Sequence, residues 1–232
     1  MKTIGLLGGM SWESSLEYYR IINEYVRNRL GGLHSAKIIL YSFNFAEIAA
    51  LQEDGNWNAE AAFLIDAAQK LERAGADVLA ICTNTMHKVA DEVQKSVAIP
   101  LLHIADATAN EVKTRDLRKV GLLGTKFTME QGFYKERLAD QHGLDVIVPA
   151  GDERKAINHV IYDELCCGQV QPSSKEQFCA IIQKLVANGA EGIILGCTEI
   201  GLLVNQQDAQ VPLFDTTKIH AQAIAQFALC ES

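Results

Sequence analysis

The stretch GADVLAICTNTMH, residues 75–87, decides the fold because it joins a buried strand to a polar strand end. Its apolar run up to Ile81 follows a glycine and is typical of a strand in a parallel sheet. The polar or reactive residues that follow are Cys82, Thr83, Asn84, Thr85 and His87. Because open parallel sheets bind ligands beyond the carboxyl ends of their strands, we expect a pocket here.

The composition is that of an ordinary globular protein. The 232 residues suffice for one large domain or two small ones, and 48% of them are hydrophobic. A formal net charge of −8 without a basic run argues against nucleic acid or an anionic membrane as a partner, so we expect a small-molecule ligand. The N-terminal apolar run is too short for an export signal, and no stretch reaches the roughly 18 apolar residues of a membrane span. These features predict a cytoplasmic protein.

The six cysteines form neither a CxxC motif nor a Cys/His ligand spacing. We expect reduced thiols, with no disulfide framework and no metal site. The lysines show no pocket context, so a pyridoxal Schiff base has no support and we expect no cofactor.

Short β-branched runs alternate with longer helical patterns along the chain. This alternation predicts βαβ units and a parallel sheet. The predicted strands lie near residues 3–8, 36–42, 77–83, 119–124, 144–148 and 191–196. The predicted helices lie near residues 12–30, 57–74, 104–116, 151–166, 173–188 and 216–230, and Ser11 is the expected N-cap of the first.

Two motifs recur at nearly the same distance. IGLLGGMS from Ile4 returns as VGLLGTKF from Val120, 116 positions on, and GADVLAICTNT from Gly75 returns as GAEGIILGCTE from Gly189, 114 positions on. We therefore predict an α/β protein of two similar doubly wound parallel-sheet halves, related by a pseudo-twofold axis, with the active site between them. The halves are residues 1–105 and 106–232, and the C-terminal helix is a candidate to cross back to the first.

The repeat also indicates which residue after the strand faces the pocket. At the same spacing Thr83 corresponds to Cys197, and Cys82 corresponds to Gly196. Successive side chains of a strand point to opposite faces, so Cys82 and Thr83 cannot both line one pocket if the strand is regular. We expect Cys82 to pack beneath the sheet; the alternative is a strand that ends early and exposes the thiol.

Thr83 and Cys197 on facing halves would approach a ligand from two sides. That arrangement suits removal of a proton from one face of a carbon and return of a proton to the other. Asn84, Thr85 and Thr198 would offer neutral donors to a carboxylate. The glycine-rich GLLGGM lacks the GxGxxG spacing of a nucleotide site and predicts a tight turn with positive φ. His87 has two readings, as a helix cap or as a residue that orients the site.

The motifs TNTMH, LGCTEI, GLLGGMSWESS and GLLGTKFTM resemble the cofactor-independent aspartate/glutamate racemase family, and closely its bacterial broad-specificity L-aspartate/glutamate branch. The resemblance spans essentially the whole chain. It implies a PLP-independent isomerase that acts as a homodimer, in which one cysteine from each half serves as acid or base at the α-carbon. Thr83 stands where the family has its first cysteine, and Cys197 matches the second.

The resemblance implies further substrate-binding residues. Met10 and Ser11 match the first substrate loop, and Glu199 follows the second cysteine. Gln52 stands where some relatives hold an arginine, and Glu164 where some hold a lysine. Because both replacements remove positive charge, we expect a broader specificity that includes glutamate as well as aspartate.

The unequal pair leads to a mechanistic hypothesis. A thiol with a reference pKa near 8.5 becomes a thiolate far more readily than a threonine hydroxyl ionises. Cys197 as thiolate would take the α-proton, and Thr83 would deliver a proton to the other face. In the family the second cysteine acts on the L-amino acid, so we expect L-to-D conversion to be the faster direction.

Other functions remain open at this point. A decarboxylase of the arylmalonate type in the same superfamily uses a single second-half cysteine, which fits Thr83. Maleate-type isomerisation and hydantoin racemisation belong to the same superfamily. A non-catalytic, two-lobed small-molecule-binding protein would have kept the pocket after losing half of the catalytic pair; turnover distinguishes it from an enzyme.

Overall fold

The computed structural model describes residues 1–230, which divide into two compact units. The first unit comprises Met1–Ile104 and the segment from His220 onward, and the second comprises Ala105–Ile219. Within the described residues, no helix combines the length and the apolar character needed to cross a bilayer.

The first unit is built on a parallel three-stranded sheet in the order β2-β1-β3. Its strands are β1 (Thr3–Gly8), β2 (Lys37–Ser42) and β3 (Val78–Ile81). Its helices are α1 (Trp12–Leu30), α2 (Phe45–Glu53), α3 (Trp57–Arg73) and α4 (Ala90–Lys95), with a 3₁₀ turn at Thr85–Val89.

The second unit is built on a parallel four-stranded sheet in the order β5-β4-β6-β7. Its strands are β4 (Lys119–Gly124), β5 (Asp145–Ile147), β6 (Gly192–Gly196) and β7 (Leu213–Asp215). The helices from this part of the chain onward are α5 (Ile104–Lys113), α6 (Lys126–Glu130), α7 (Gly132–Glu136), α8 (Gly151–His159), α9 (Pro172–Ala187), α10 (Ile200–Leu203) and α11 (Thr216–Leu229). Short π and 3₁₀ turns lie at Arg137–Gln141, Val160–Glu164, Leu165–Cys167 and Gln206–Asp208.

Both faces of the first sheet are covered, as the alternation along β1 requires. Ile4 and Leu6 pack with α1 and with the part of α11 that belongs to this unit, whereas Leu7 packs with α3. Along α1, Tyr18, Ile22 and Val26 are buried at helical spacing. Ser11 caps this helix, accepting a hydrogen bond from the Ser14 backbone N–H at 3.4 Å, as predicted.

The internal repeat is visible in the hydrogen bonds that open each sheet. In the first unit Asp77 accepts from the Thr3 backbone N–H at 2.6 Å, and in the second Glu191 accepts from the Lys119 backbone N–H at 2.9 Å. Asp77 and Glu191 also donate backbone N–H groups to those same partners, each at 2.8 Å. The prediction of two similar parallel-sheet halves is therefore confirmed.

The spacing of the repeat falls from 116 to 114 because the loop after β1 is two residues longer than the loop after β4. Ser11 and Thr125 occupy equivalent positions, each capping the helix that follows it. The extra residues are Gly9 and Met10. Gly9 has a φ of +85°, and a Cβ there would collide with the Phe43 backbone. The predicted tight turn with positive φ is confirmed.

Some elements differ from those predicted. In each unit the last extended segment was missed: Leu79 donates its N–H to Pro100 O at 2.8 Å, and Ile193 donates to Pro212 O at 2.9 Å. The matching runs IPLLH and VPLFD carried this signal. Helix α2 was also missed. The helix predicted over 151–166 ends at His159 and continues as a π turn, and β3 ends at Ile81 rather than at residue 83.

Candidate active site

The alternation along β3 separates Cys82 from Thr83. Val78 and Ala80 pack with Cys82 in one hydrophobic cluster, whereas Leu79 and Ile81 pack on the other face. The Cys82 side chain is 0% exposed, and burial raises the pKa of its thiol. The prediction that Cys82 packs beneath the sheet is confirmed. Thr83, the next residue, is half-buried.

The second unit repeats this arrangement in register. Leu195 lies opposite Leu123 on the neighbouring strand, just as Ile81 lies opposite Leu7. Cys197 packs with Ile193 and Leu195 on one face of β6. Counting from these paired residues, Thr83 and Cys197 hold the same position, two residues beyond Ile81 and Leu195.

The surroundings of Cys197 favour a protonated thiol. Its side chain is 8% exposed and donates a hydrogen bond to Glu199 Oε2 at 3.0 Å. Burial raises the pKa of this thiol well above its usual value, and the negative charge of Glu199 raises it further. In this environment the neutral thiol is favoured, because an anion would be buried beside a carboxylate; a thiolate that takes the α-proton must first lose this proton.

Glu199 accepts hydrogen bonds from the two residues that precede it, Cys197 and Thr198. Thr198 Oγ1 donates to the same Oε2 atom at 2.6 Å, and the Glu199 side chain is buried. A carboxylate that already accepts the thiol hydrogen is within the distance at which a general base takes a proton. Cys197 and Glu199 thus form an acid–base pair.

The loop after β3 is formed by Thr83 together with the buried Asn84 and Thr85. His87 lies in the following 3₁₀ turn, and its Nδ1 is 2.8 Å from the Thr83 carbonyl oxygen. Its Nε2 accepts from the backbone N–H of Ile104, the first residue of α5, at 3.1 Å. The reading of His87 as a helix cap is therefore confirmed, whereas its part in orienting the site stays a prediction.

The loop after β1 contains Met10 and Ser11, each 4% exposed. Two serines that were not singled out from the sequence support it. Ser14 Oγ lies 3.1 Å from both Ser11 O and Cys82 O, so it connects this loop with the end of β3. Ser15 Oγ accepts from the Gly9 N–H at 2.7 Å. In the sequence, the serine-rich run SWESS, residues 11–15, indicates these supporting hydroxyl groups.

Gln52 and Glu164 both have partners inside the protein. The buried Gln52 amide donates to Met86 Sδ at 3.1 Å, and the half-buried Glu164 carboxylate accepts from Ser174 Oγ at 2.7 Å. Neither contact joins these residues to Cys197, Thr198 or Glu199. Their part in binding substrate stays a prediction.

The cysteines of the described residues are not grouped as ligands of a metal ion. All six are free thiols. Across residues 1–230, no group of three or more histidine, cysteine or acidic side chains is arranged to hold a metal ion. Cys197 differs from a metal ligand in its contacts, since it lies with Thr198 and Glu199 in one hydrogen-bonded group.

Comparison with known proteins identifies the family. The sequence profile of the Asp/Glu/hydantoin racemases matches residues 7–224. The chain belongs to this racemase family. It is an amino-acid racemase, and the non-catalytic interpretation is set aside.

Several relatives align with this racemase over nearly its whole length. The broad specificity amino-acid racemase RacX of Bacillus subtilis is 26% identical over 226 residues, which are 95% of each chain. A Yersinia pestis structure with a provisional Asp/Glu racemase assignment has a TM-score of 0.94 at 56% identity, covering 99% of this chain and 100% of that one. An aspartate racemase homologue from Pyrococcus horikoshii, PH1733, has a TM-score of 0.85 at 40% identity, covering 98% and 99%.

Proposed function

We propose that this racemase interconverts the L- and D-forms of aspartate and glutamate without a cofactor, and that L-to-D conversion is the faster direction. Cys197 removes the α-proton from the L-substrate, and Thr83 delivers a proton to the opposite face of the carbon. The relatives named for aspartate and for broad amino-acid specificity support this substrate class.

One observation carries the proposal: equivalent positions in the two repeated units hold a thiol and a hydroxyl. Racemisation needs an acid or base on each side of the α-carbon, and an internal repeat supplies two equivalent strand ends. Because Thr83 is a far weaker acid and base than Cys197, the two directions should differ in initial rate. The equilibrium still lies at equal amounts of the enantiomers.

A neutral Cys197 thiol sets the order of the proton transfers, because it must lose its own proton before it can accept one from the substrate. Glu199 first takes the Cys197 proton, and the thiolate so formed then takes the α-proton of the substrate. The carbanion receives a proton from the Thr83 hydroxyl, which recovers one from water, and Glu199 returns its proton to solvent. A substrate ammonium group close to the pair would offset the negative charge and so favour the thiolate.

The residues proposed to bind the substrate are almost all uncharged. They are Met10, Ser11, Gln52, Asn84, Thr85 and Thr198, together with the acidic Glu164 and Glu199. Hydroxyl, amide and backbone N–H donors suit the α-carboxylate. With no cation among them to bind the distal carboxylate, we propose that the enzyme tolerates either side-chain length.

The test is α-proton exchange in deuterated water, followed by NMR, with each enantiomer of aspartate and glutamate offered separately. We expect loss of the α-proton signal from an L-isomer, together with formation of the D-isomer. Cys197→Ala should abolish both. Cys82→Ala is the matched control, since it removes a thiol one strand position from the site and should leave exchange within about threefold of wild type. Exchange that persists in Cys197→Ala would contradict the proposal.

The protonated state of Cys197 also favours a second candidate, decarboxylation of an arylmalonate-type diacid. That reaction needs a proton donor on one face only, which a neutral thiol supplies. Release of CO₂ from phenylmalonate, without α-proton exchange in the amino acids, would select this alternative.

We further propose that the enzyme is a cytoplasmic homodimer, as the family resemblance implies. The free state of all six cysteines supports a reducing compartment. Sedimentation equilibrium of the full chain tests the dimer, and a mass of one subunit would contradict it.

A further inference from the structure

His87 uses both ring nitrogens to bond the backbone. The Thr83 carbonyl oxygen can only accept, so Nδ1, at 2.8 Å, must carry the proton. The Ile104 N–H can only donate, at 3.1 Å, so Nε2 must be unprotonated. The two bonds therefore define a neutral ring with its hydrogen on Nδ1. The side chain is 3% exposed, so water does not compete readily for either bond.

A ring held in this way cannot exchange protons with a substrate unless it breaks one of the two bonds. Its contribution is mechanical: it connects the backbone of Thr83 with the first residue of α5. The last hydrogen bond from this strand to β1 runs from the Cys82 N–H to Leu7 O, so the sheet itself does not hold the Thr83 carbonyl group in place. The His87 bond supplies that restraint.

His87 packs beside two further buried histidine rings. His103 lies edge-on to His87 with ring centroids 4.4 Å apart, and His220 lies at 5.7 Å. His220 donates from Nε2 to Leu102 O at 2.8 Å, so its Nδ1 accepts from the Tyr18 hydroxyl at 2.7 Å. His103 and His220, and through His220 the Tyr18 phenol, are titratable groups that the described contacts place around His87. Protonating His87 would set an N–H against the Ile104 N–H and break that bond.

We propose that His87 is the positioning residue that aligns Thr83 for proton delivery, an inference that rests on the proposed function. It acts through the Thr83 carbonyl and does not touch the substrate. Without this hydrogen bond, Cys197 should still remove the α-proton, but proton delivery from Thr83 to the carbanion should become slower.

The test separates the two half-reactions. In deuterated buffer, L-glutamate that loses its α-proton becomes either deuterated L-glutamate or D-glutamate, and the ratio of these products reports delivery from the Thr83 side. His87→Asn keeps an N–H near the position of Nδ1, whereas His87→Gln extends its amide toward the position of Nε2. We expect Asn to preserve the ratio within about twofold and Gln to lower it by on the order of tenfold, while exchange continues.

A merely structural role would lower exchange and inversion together and leave the ratio unchanged in both variants, which would overturn the proposal. If His87→Gln does not fold, the ratio is measured against pH in wild type and His87→Asn. A fall of the ratio in acid that is present in wild type and absent in Asn supports the proposal, and the same fall in both overturns it. Absence of any exchange in wild type would instead reject the proposed function.

Discussion

Thr83 and Cys197 occupy the same register position in two repeated units, two residues beyond the paired Ile81 and Leu195. The repeat therefore offers a direct substitution test. Thr83→Cys places a thiol, with a reference pKa near 8.5, where the wild type has a hydroxyl. We expect the D-to-L initial rate to rise by about tenfold or more, because the second base becomes competent.

The control for that change is Thr83→Ser, which retains a hydroxyl and should leave the ratio of the two initial rates as in wild type. Chiral chromatography of early time points measures both directions. An unchanged D-to-L rate in Thr83→Cys would be incompatible with the proposed role of residue 83.

The second prediction concerns the base that takes the thiol proton. Glu199→Gln keeps the shape of the side chain and removes its charge. Since that charge raises the pKa of Cys197, the variant should alkylate faster with iodoacetamide at a given pH. Racemisation should nevertheless fall by about 100-fold or more, because an amide cannot accept the proton.

Thr198→Val is the matched control for Glu199→Gln. It removes the 2.6 Å hydrogen bond to the same carboxylate oxygen but leaves the carboxylate itself. We expect less than about a tenfold loss of activity in this control. Wild-type turnover in Glu199→Gln would exclude Glu199 as the base.

The third prediction concerns Glu60 on α3. Its side chain is 0% exposed, and neither carboxylate oxygen has a hydrogen-bond partner among the described residues. Burial raises its pKa from 4.5 to about 7, partly opposed by the charge of Lys88. Because the pKa of Glu60 is higher in the folded state, ionising this carboxyl lowers the free energy of unfolding. The free energy of unfolding is therefore at its full value below pH 4.5 and falls as the pH rises through 7.

Glu60→Gln should therefore raise the free energy of unfolding at pH 8 by about 3 kcal/mol and change it little near pH 4.5. Urea unfolding at the two pH values measures the difference. Glu53→Gln on α2, which changes an exposed glutamate, serves as the control. Equal effects of Glu60→Gln at both pH values would mean that Glu60 ionises normally.

The fourth prediction concerns Gly9 in the loop that carries Met10 and Ser11. Gly9 and Gly55 both have positive φ, but only a Cβ on Gly9 would meet the Phe43 backbone, whereas one on Gly55 would meet open space. Gly55→Ala should cost about 1 kcal/mol of unfolding free energy, and Gly9→Ala about 2 to 4 kcal/mol. Similar losses in the two variants would show that the loop relaxes around the added methyl group.

Much of the fold could be predicted from the sequence because its signals are local. The apolar runs ending at Ile81 and Gly196 indicated parallel strands, and their alternation assigned Cys82 to the core and Thr83 to the opposite face. The spacing of the repeat alone pairs Thr83 with Cys197. The final extended segment of each unit was missed although IPLLH and VPLFD repeat too, because short runs beginning at proline resemble loops.

Side-chain chemistry was decided by the tertiary structure. The protonated state of Cys197 depends on how completely the unit buries it beside Glu199, and the ring state of His87 depends on Ile104, 17 positions away. Strand periodicity and internal repetition follow from the order of residues along the chain. Protonation and hydrogen-bond partners follow from the dielectric and from distances to groups brought in by folding, so only the folded chain determines them.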